Sequence, residues 1–279
     1  MSYKTILVQL NDEHRVEQIL RPAIRVAIKH ESHVIGLHIS PGIPYTPPIP
    51  GAGGVIGLIK EHERKVSEKI AAQFDELTKG RGFVTEMRHL SPKSHDDISQ
   101  LLLSHARSVD LIVAAAPGAQ TETASIMDFP ERLAVESGRP VLMSPVEGYA
   151  NDFGKHVLIA WNGKREAARA TFDAMPFLKA AEKVTVLCIE QVRSEKDVTP
   201  LPDVAIAETL ARHGVNVALK TARARDTSIG EEILLQITQE EADMLVMGAY
   251  GHTRLREFVF GGATRHIARN LHVPTLLSH

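Results

Sequence analysis

The stretch of this chain whose residue types and spacing could do chemistry is Gly248-Ala-Tyr-Gly-His-Thr-Arg-Leu-Arg-Glu-Phe-Val-Phe-Gly-Gly-Ala-Thr264. Glycines at 248, 251 and 261 let backbone approach a ligand closely and leave N–H groups open. Gly261, Gly262, Ala263 and Thr264 stand where a helix is expected to begin. A helix entrance carries partial positive charge and favours phosphate, and the Thr264 hydroxyl adds a side-chain donor. Charge agrees: residues 251–272 hold Arg254, Arg256, Arg265 and Arg269 against Glu257, a formal balance of +3. The chemistry this set can do is to cradle phosphate. The alternative is a turn whose glycines serve backbone geometry alone.

Other chemistries find no support. The sequence has no G-x-x-x-x-G-K-[ST], no G-x-S-x-G elbow and no H-E-x-x-H. Gly51-Ala-Gly-Gly-Val-Ile-Gly57 misses a dinucleotide fingerprint by one residue and follows prolines instead of a strand, so it reads as a flexible connector. The 14 histidines are scattered. His30 and His33 are close, but a metal site needs ligands converging from several elements. The single cysteine, Cys188, excludes an intrachain disulfide and reads as a small buried hydrophobe in a reducing compartment. A formal charge of −2 gives no bulk attraction to nucleic acid or anionic membrane. No apolar run is long enough for a membrane span. The Met1–Lys4 start leads into an apolar run too short for a signal peptide. The expectation is a soluble, cytoplasmic protein.

The elements that must position the glycine loop come from a repeat. Thr5–Asp12 resembles His156–Gly163, Val109–Ala114 resembles Ala242–Met247, and Gly138–Ser144 resembles Leu271–Ser278. The halves differ by an extra stretch at Ser40–Gly57, with five prolines and five glycines. Strand signals fall at 5–10, 33–39, 85–89, 111–115 and 141–144, then at 156–161, 183–189, 215–219, 244–248 and 275–278. Helical signals lie between them: 166–177, 203–213 and 262–270 in the second half, with a capping box at Ser228 to Glu231. Strands alternating with helices predict parallel α/β sheets covered on both faces. The glycine loop then follows the fourth strand of the second half, at the carboxyl end where open α/β sheets bind ligands. The boundary is expected at 145–154, giving segments 1–147 and 152–279. The closing runs Val141–Ser144 and Thr275–Ser278 are expected to pair, since bare apolar edges invite aggregation.

Gly-x2-Gly-x9-Gly at 248, 251 and 261, with Ala160-Trp161-Asn162-Gly163, the Asp243–Gly248 run and Val273–Leu277, resembles the universal stress protein family over essentially the whole chain, as a tandem pair. The resemblance implies two tandem five-stranded parallel-sheet domains with helices on both faces, of the adenine nucleotide alpha hydrolase type. It also implies pairing through the last strands, within the chain or as a homodimer, and ATP binding, with or without Mg2+. Carried over, Ala160, Trp161 and Asn162 would line the adenosine end and Ile189 would pack on the base. Met247, Gly248, Tyr250 and Gly251 would hold ribose and the first phosphate. Gly261, Gly262 and Ala263, with Thr264, would face the outer phosphates. The family usually has Asp where Asn162 stands and Ser, Thr or Asn where Gly262 stands. Asn can donate as well as accept, so base reading changes.

In the first half the pattern has decayed. Ala115 replaces the first glycine, Gly118 matches the second, and Met127-Asp128 fall where Gly261-Gly262 do. Residues 118–139 carry a balance of −2. A carboxylate repels phosphate, so this half reads as a scaffold. The function implied is an ATP-binding regulatory protein of the stress response, with no general base or nucleophile that would make it an enzyme. The competing readings are an assembly module with a purely structural glycine loop, and a hydrolase using the Pro-rich loop as a lid.

Overall fold

The computed structural model describes residues 2–41, 53–92, 98–117, 130–146, 152–191, 204–224, 227–249 and 262–279. The chain divides into two compact units. One holds β1 (Thr5–Gln9), α1 (Val16–His30), β2 (His33–Ile39), α2 (Gly53–Thr78), β3 (Val84–Leu90), α3 (Ile98–Ala106) and β4 (Leu111–Ala115). The other begins with α4 (Pro130–Ser137), β5 (Val141–Ser144), β6 (His156–Trp161), α5 (Arg165–Asp173) and α6 (Met175–Leu178). It continues with β7 (Lys183–Gln191), α7 (Val204–Arg212), β8 (Val217–Ala224), α8 (Ile229–Gln239), β9 (Met244–Gly248), α9 (Gly262–Asn270) and β10 (Thr275–Ser278).

The first unit orders its strands β3-β2-β1-β4, all parallel. The second repeats that order as β8-β7-β6-β9, also parallel, then adds β10 beside β9. The inner strands are continuous apolar runs, as sheets covered on both faces require. Ile6, Leu7 and Val8 in β1 are fully buried, as are Met244, Leu245 and Val246 in β9. The outer strands β3 and β8 carry charges instead, among them Glu86, Arg88, Lys220 and Arg223. The repeated closing runs do pair: β10 lies antiparallel to β5, with Leu276 opposite Leu142. This contact groups β5 with the strands of the second half.

α8 starts at the expected capping box, with Glu231 N–H on Ser228 Oγ at 3.2 Å and Ser228 N–H on the Glu231 carboxylate at 2.7 Å. Residues 53–57, expected to be a connector, instead open α2, which runs for 26 residues. Their glycines sit in its first turns, where the cost of glycine is smallest, and Val55, Ile56, Leu58 and Ile59 carry the helix onward. Cys188 is half-buried, less enclosed than expected.

The Val-Asp and Ala-Asp match between the halves has a physical role. The Asp110 carboxylate, just before β4, accepts the Lys4 and Thr5 N–H groups at 2.8 and 2.9 Å. Asp243, just before β9, accepts from Gly154, Lys155 and His156 at 2.8, 3.1 and 3.1 Å. Each aspartate thereby fixes the entry of the strand beside its own. At the same end of the second unit, Glu240 takes Lys220 Nζ at 2.6 Å and Lys183 Nζ at 2.9 Å. The hydrogen bond from Lys220, then that from Lys183, hold its carboxyl down to about 2.

Two predictions follow from these carboxylates. Asp243→Ala strands three N–H donors and should cost on the order of 3 kcal/mol in chemical denaturation. A loss under about 0.5 kcal/mol would mean that water replaces the clamp. For Glu240 the folded value is depressed, so its stabilisation is complete above the ordinary 4.5 and disappears as pH falls toward about 2. Glu240→Gln should lack that share of the acid dependence, read as the difference between the two stability–pH curves.

Candidate functional site

In the second unit, β6 has β7 on one side and β9 on the other. The chain leaves β6 toward β7 but leaves β9 toward β10, in the opposite direction. That reversal falls between β6 and β9, and the carboxyl ends of strands at such a switch point are where open α/β sheets bind ligands.

Of the expected residues, those at the ends of β6, β7 and β9 lie along this edge. Ala160 pairs in register with Met247 on β9 and with Leu187 on β7. Trp161 lies opposite Cys188, and Ile189 follows one residue on. Met247 and Trp161 are buried, whereas Ala160, Ile189 and Gly248 are half-buried. Asn162 is exposed, and its Oδ1 accepts the Lys164 N–H at 3.0 Å. This turn at the mouth of α5 uses Gly163 at φ +69°, a left-handed conformation suited to glycine. Gly262 opens α9 as expected, Ala263 is half-buried, and Thr264 is buried. Tyr250, Gly251 and Gly261 lie outside the described residues, as do Gly118, Met127 and Asp128 of the first half.

Gly248 has a packing reason of its own. A Cβ there would lie 2.6 Å from the Glu166 carbonyl carbon and 2.7 Å from the Ala167 nitrogen. The first turn of α5 therefore rests directly on the end of β9.

Sequence reasoning missed two residues at this edge. His279 Nδ1 lies 2.7 Å from the Ala249 carbonyl and its Nε2 lies 3.0 Å from an Arg165 guanidinium nitrogen. A carbonyl only accepts, so Nδ1 carries the hydrogen and Nε2 accepts from Arg165. The ring ties the backbone leaving β9 to the start of α5. The register of Ser278 beside Gly248 places it there, a pairing that no local motif announces.

The corresponding edge of the first unit is built differently. Asn11 Oδ1 reaches across to the Ile39 N–H at 3.4 Å, and Asp12 makes the local turn instead, accepting the His14 N–H at 2.9 Å. His38 is buried and its Nδ1 donates to the Leu10 carbonyl at 2.7 Å; burial pushes it below the usual imidazole range. His89 stacks on it at 5.4 Å and contacts Ser40 and Ser67 at 2.8 and 3.1 Å. Among the described residues, no group of three or more His, Cys, Asp or Glu could hold a metal ion, and no helix is long and apolar enough to cross a membrane.

Comparison with known proteins places this geometry. Residues 154–279 match the universal stress protein family. The fold is similar to that of a universal stress protein from Archaeoglobus fulgidus DSM 4304, with TM-score 0.74 at 14% identity, covering 99% of this chain and 96% of that one. It is also similar to a functionally unknown protein from Pseudomonas aeruginosa PAO1, with TM-score 0.56 at 14% identity, covering 99% and 92%. No curated protein matches the chain in sequence.

The packing of Gly248 predicts that Gly248→Ala destabilises the protein by about 1–3 kcal/mol, because backbone atoms, not a flexible side chain, must give way. Thermal unfolding with an unchanged midpoint would show that α5 shifts freely off β9.

Proposed function

Because residues 154–279 match the universal stress protein family, we propose that the second half binds a nucleoside triphosphate at the carboxyl edge of β6 and β9. ATP is the ligand that the family resemblance implies. The observation that carries this reading is the glycine spacing at 248, 251 and 261, placed after a strand that borders the switch point. Ala160, Trp161, Asn162 and Ile189 are assigned to the nucleoside. Met247, Gly248, Tyr250 and Gly251 are assigned to ribose and first phosphate, and Gly261, Gly262, Ala263 and Thr264 to the outer phosphates. Gly262 as the first residue of α9 fits phosphate, since a helix entrance offers open N–H groups. Mg2+, if bound, would be held through the phosphates, because the described residues supply no carboxylate cluster. The role proposed is regulatory binding in a cytoplasmic stress response, without turnover. The first half serves as scaffold, its acidic 118–139 stretch being unsuited to phosphate.

One observation favours a second reading, an assembly module without nucleotide: close packing against α5 accounts for Gly248 with no ligand at all.

Titration calorimetry of the full chain with ATP and with GTP separates the two readings. Saturable binding is expected in the wild type. Gly261→Asp should weaken it at least about tenfold, because a carboxylate faces the phosphate charge, with circular dichroism unchanged. No heat with either nucleotide at millimolar concentration would favour the assembly module. Unchanged affinity in a folded Gly261→Asp would remove the phosphate assignment.

A further inference from the structure

We propose that the first half is an acid-responsive unit: the neutral imidazoles of His38, His89 and His105 fasten its outer strand β3 to its surroundings, and their protonation loosens β3, α2 and α3 before the second half is affected. The inference stands apart from what the second half binds.

β3 is an edge strand, paired with β2. Neighbouring residues of a strand face opposite sides of the sheet, so Arg88 and His89 point to different faces. Histidine serves on both. On one face, His89 Nε2 lies 3.1 Å from Ser67 Oγ on α2 and 2.8 Å from Ser40 Oγ. The Ser67 hydroxyl gives its one hydrogen to the Glu63 carbonyl at 2.8 Å, so Nε2 carries the hydrogen toward Ser67. The His89 ring also stacks on that of His38, its register partner on β2, at 5.4 Å and 21°. On the other face, Arg88 Nη1 donates to His105 Nδ1 of α3 at 3.2 Å. A guanidinium only donates, so this Nδ1 bears no hydrogen.

A proton opposes both arrangements. His38 is buried and already gives its Nδ1 hydrogen to the Leu10 carbonyl, so a second hydrogen creates a buried cation stacked on His89, which is exposed to solvent. A hydrogen on His105 Nδ1 sets donor against donor and cation against Arg88. Among the described residues no carboxylate lies within 4.0 Å of these three rings; the histidine–carboxylate pairs are those of His14, His33 and His156. Glu86, with His33 at 3.6 Å, gives its two oxygens to Arg88 at 2.7 and 3.0 Å. On the α2 side Glu13 is held by Lys69 at 3.0 Å, with His14 and His62 nearby, and Glu63 meets the cluster through its backbone carbonyl. His30, at the end of α1, has the cations Lys29 and Lys4 beside it.

Burial above all keeps His38 and His105 below the ordinary 6.5. The unfolded chain therefore takes up these protons first. The stability they contribute is complete above 6.5 and falls as pH drops below it, by up to about tenfold in the folding constant per pH unit for each histidine.

The second half lacks this device. Cys188 and Thr221, themselves register partners, take the places of His38 and His89, and neither gains charge in acid. His156 has Glu240 at 4.0 Å, so a proton there completes an ion pair.

The test is hydrogen–deuterium exchange of the full chain without nucleotide, at pH about 7.5 and about 5.5, scaled for intrinsic exchange. Both values lie above the range in which Glu240 loses its charge. Protection of segments 63–78, 84–90 and 98–106 should fall about tenfold or more at the lower pH, whereas that of 217–224 and 229–239 should hold. The double variant His38→Asn, His105→Asn keeps an NH2 for the Leu10 carbonyl and an oxygen for Arg88, and it takes up no proton. It should retain first-half protection at the lower pH. Equal loss in the two halves, no loss in either, or a loss that persists in the folded double variant would overturn the inference. If the double variant does not fold, the wild-type comparison of the two halves decides alone.

Discussion

The architecture of the second half turns on how closely α5 lies on the end of β9. Backbone atoms of Glu166 and Ala167 occupy the space that any side chain at 248 would need. Only hydrogen fits, so glycine there is a condition of the packing. Because α5 begins right after the Asn162 turn, the same contact sets where β6 ends relative to β9. His279 reinforces it by joining the Ala249 carbonyl to Arg165. The carboxyl edge of β6 and β9 is thus held by backbone contact and one imidazole bridge.

The two halves share a frame and differ at its carboxyl edge. Asp110 and Asp243 clamp the opposite end of each sheet in the same manner, through backbone N–H groups of the neighbouring strand's entry. At the carboxyl edge the first half spends its polar groups on itself: Asn11 on Ile39, His38 on Leu10, His89 on Ser40 and Ser67. In the second half the described polar groups at this edge pair as Asn162 with Lys164, His279 with Ala249 and Arg165, and Glu190 with Arg223.

Much of the fold was legible because it depends on local signals. Buried strands such as β1 and β9 are unbroken apolar runs, and the Ser228–Glu231 capping box marks α8 without tertiary help. The closing runs could be paired because each leaves an apolar edge that must be covered. β8 was misplaced: the expected strand began at 215, but the Val215 N–H closes α7 on the Leu210 carbonyl and Gly214 takes φ +81°, so the strand starts at Val217. Its charged stretch Lys220–Arg223 hid it, since an edge strand need not look apolar. The start of α2 was hidden by glycines, which signal loops except in a helix's first turns. At the site, residue types were legible but hydrogen-bond direction was not. Nothing in Asn162-Gly163-Lys164 says which end of the amide the chain consumes, and His279 reaches the site only through the β9–β10 register.

The central claim is that nucleotide sits at the carboxyl edge of β6 and β9 and nowhere in the first half. Hydrogen–deuterium exchange of the full chain, with and without excess ATP or GTP, tests it directly. The account predicts slowed exchange in segments 158–166 and 244–249 and none in 6–14 or 111–117. Protection in the first-half segments, or no protection anywhere at saturating nucleotide, would contradict it.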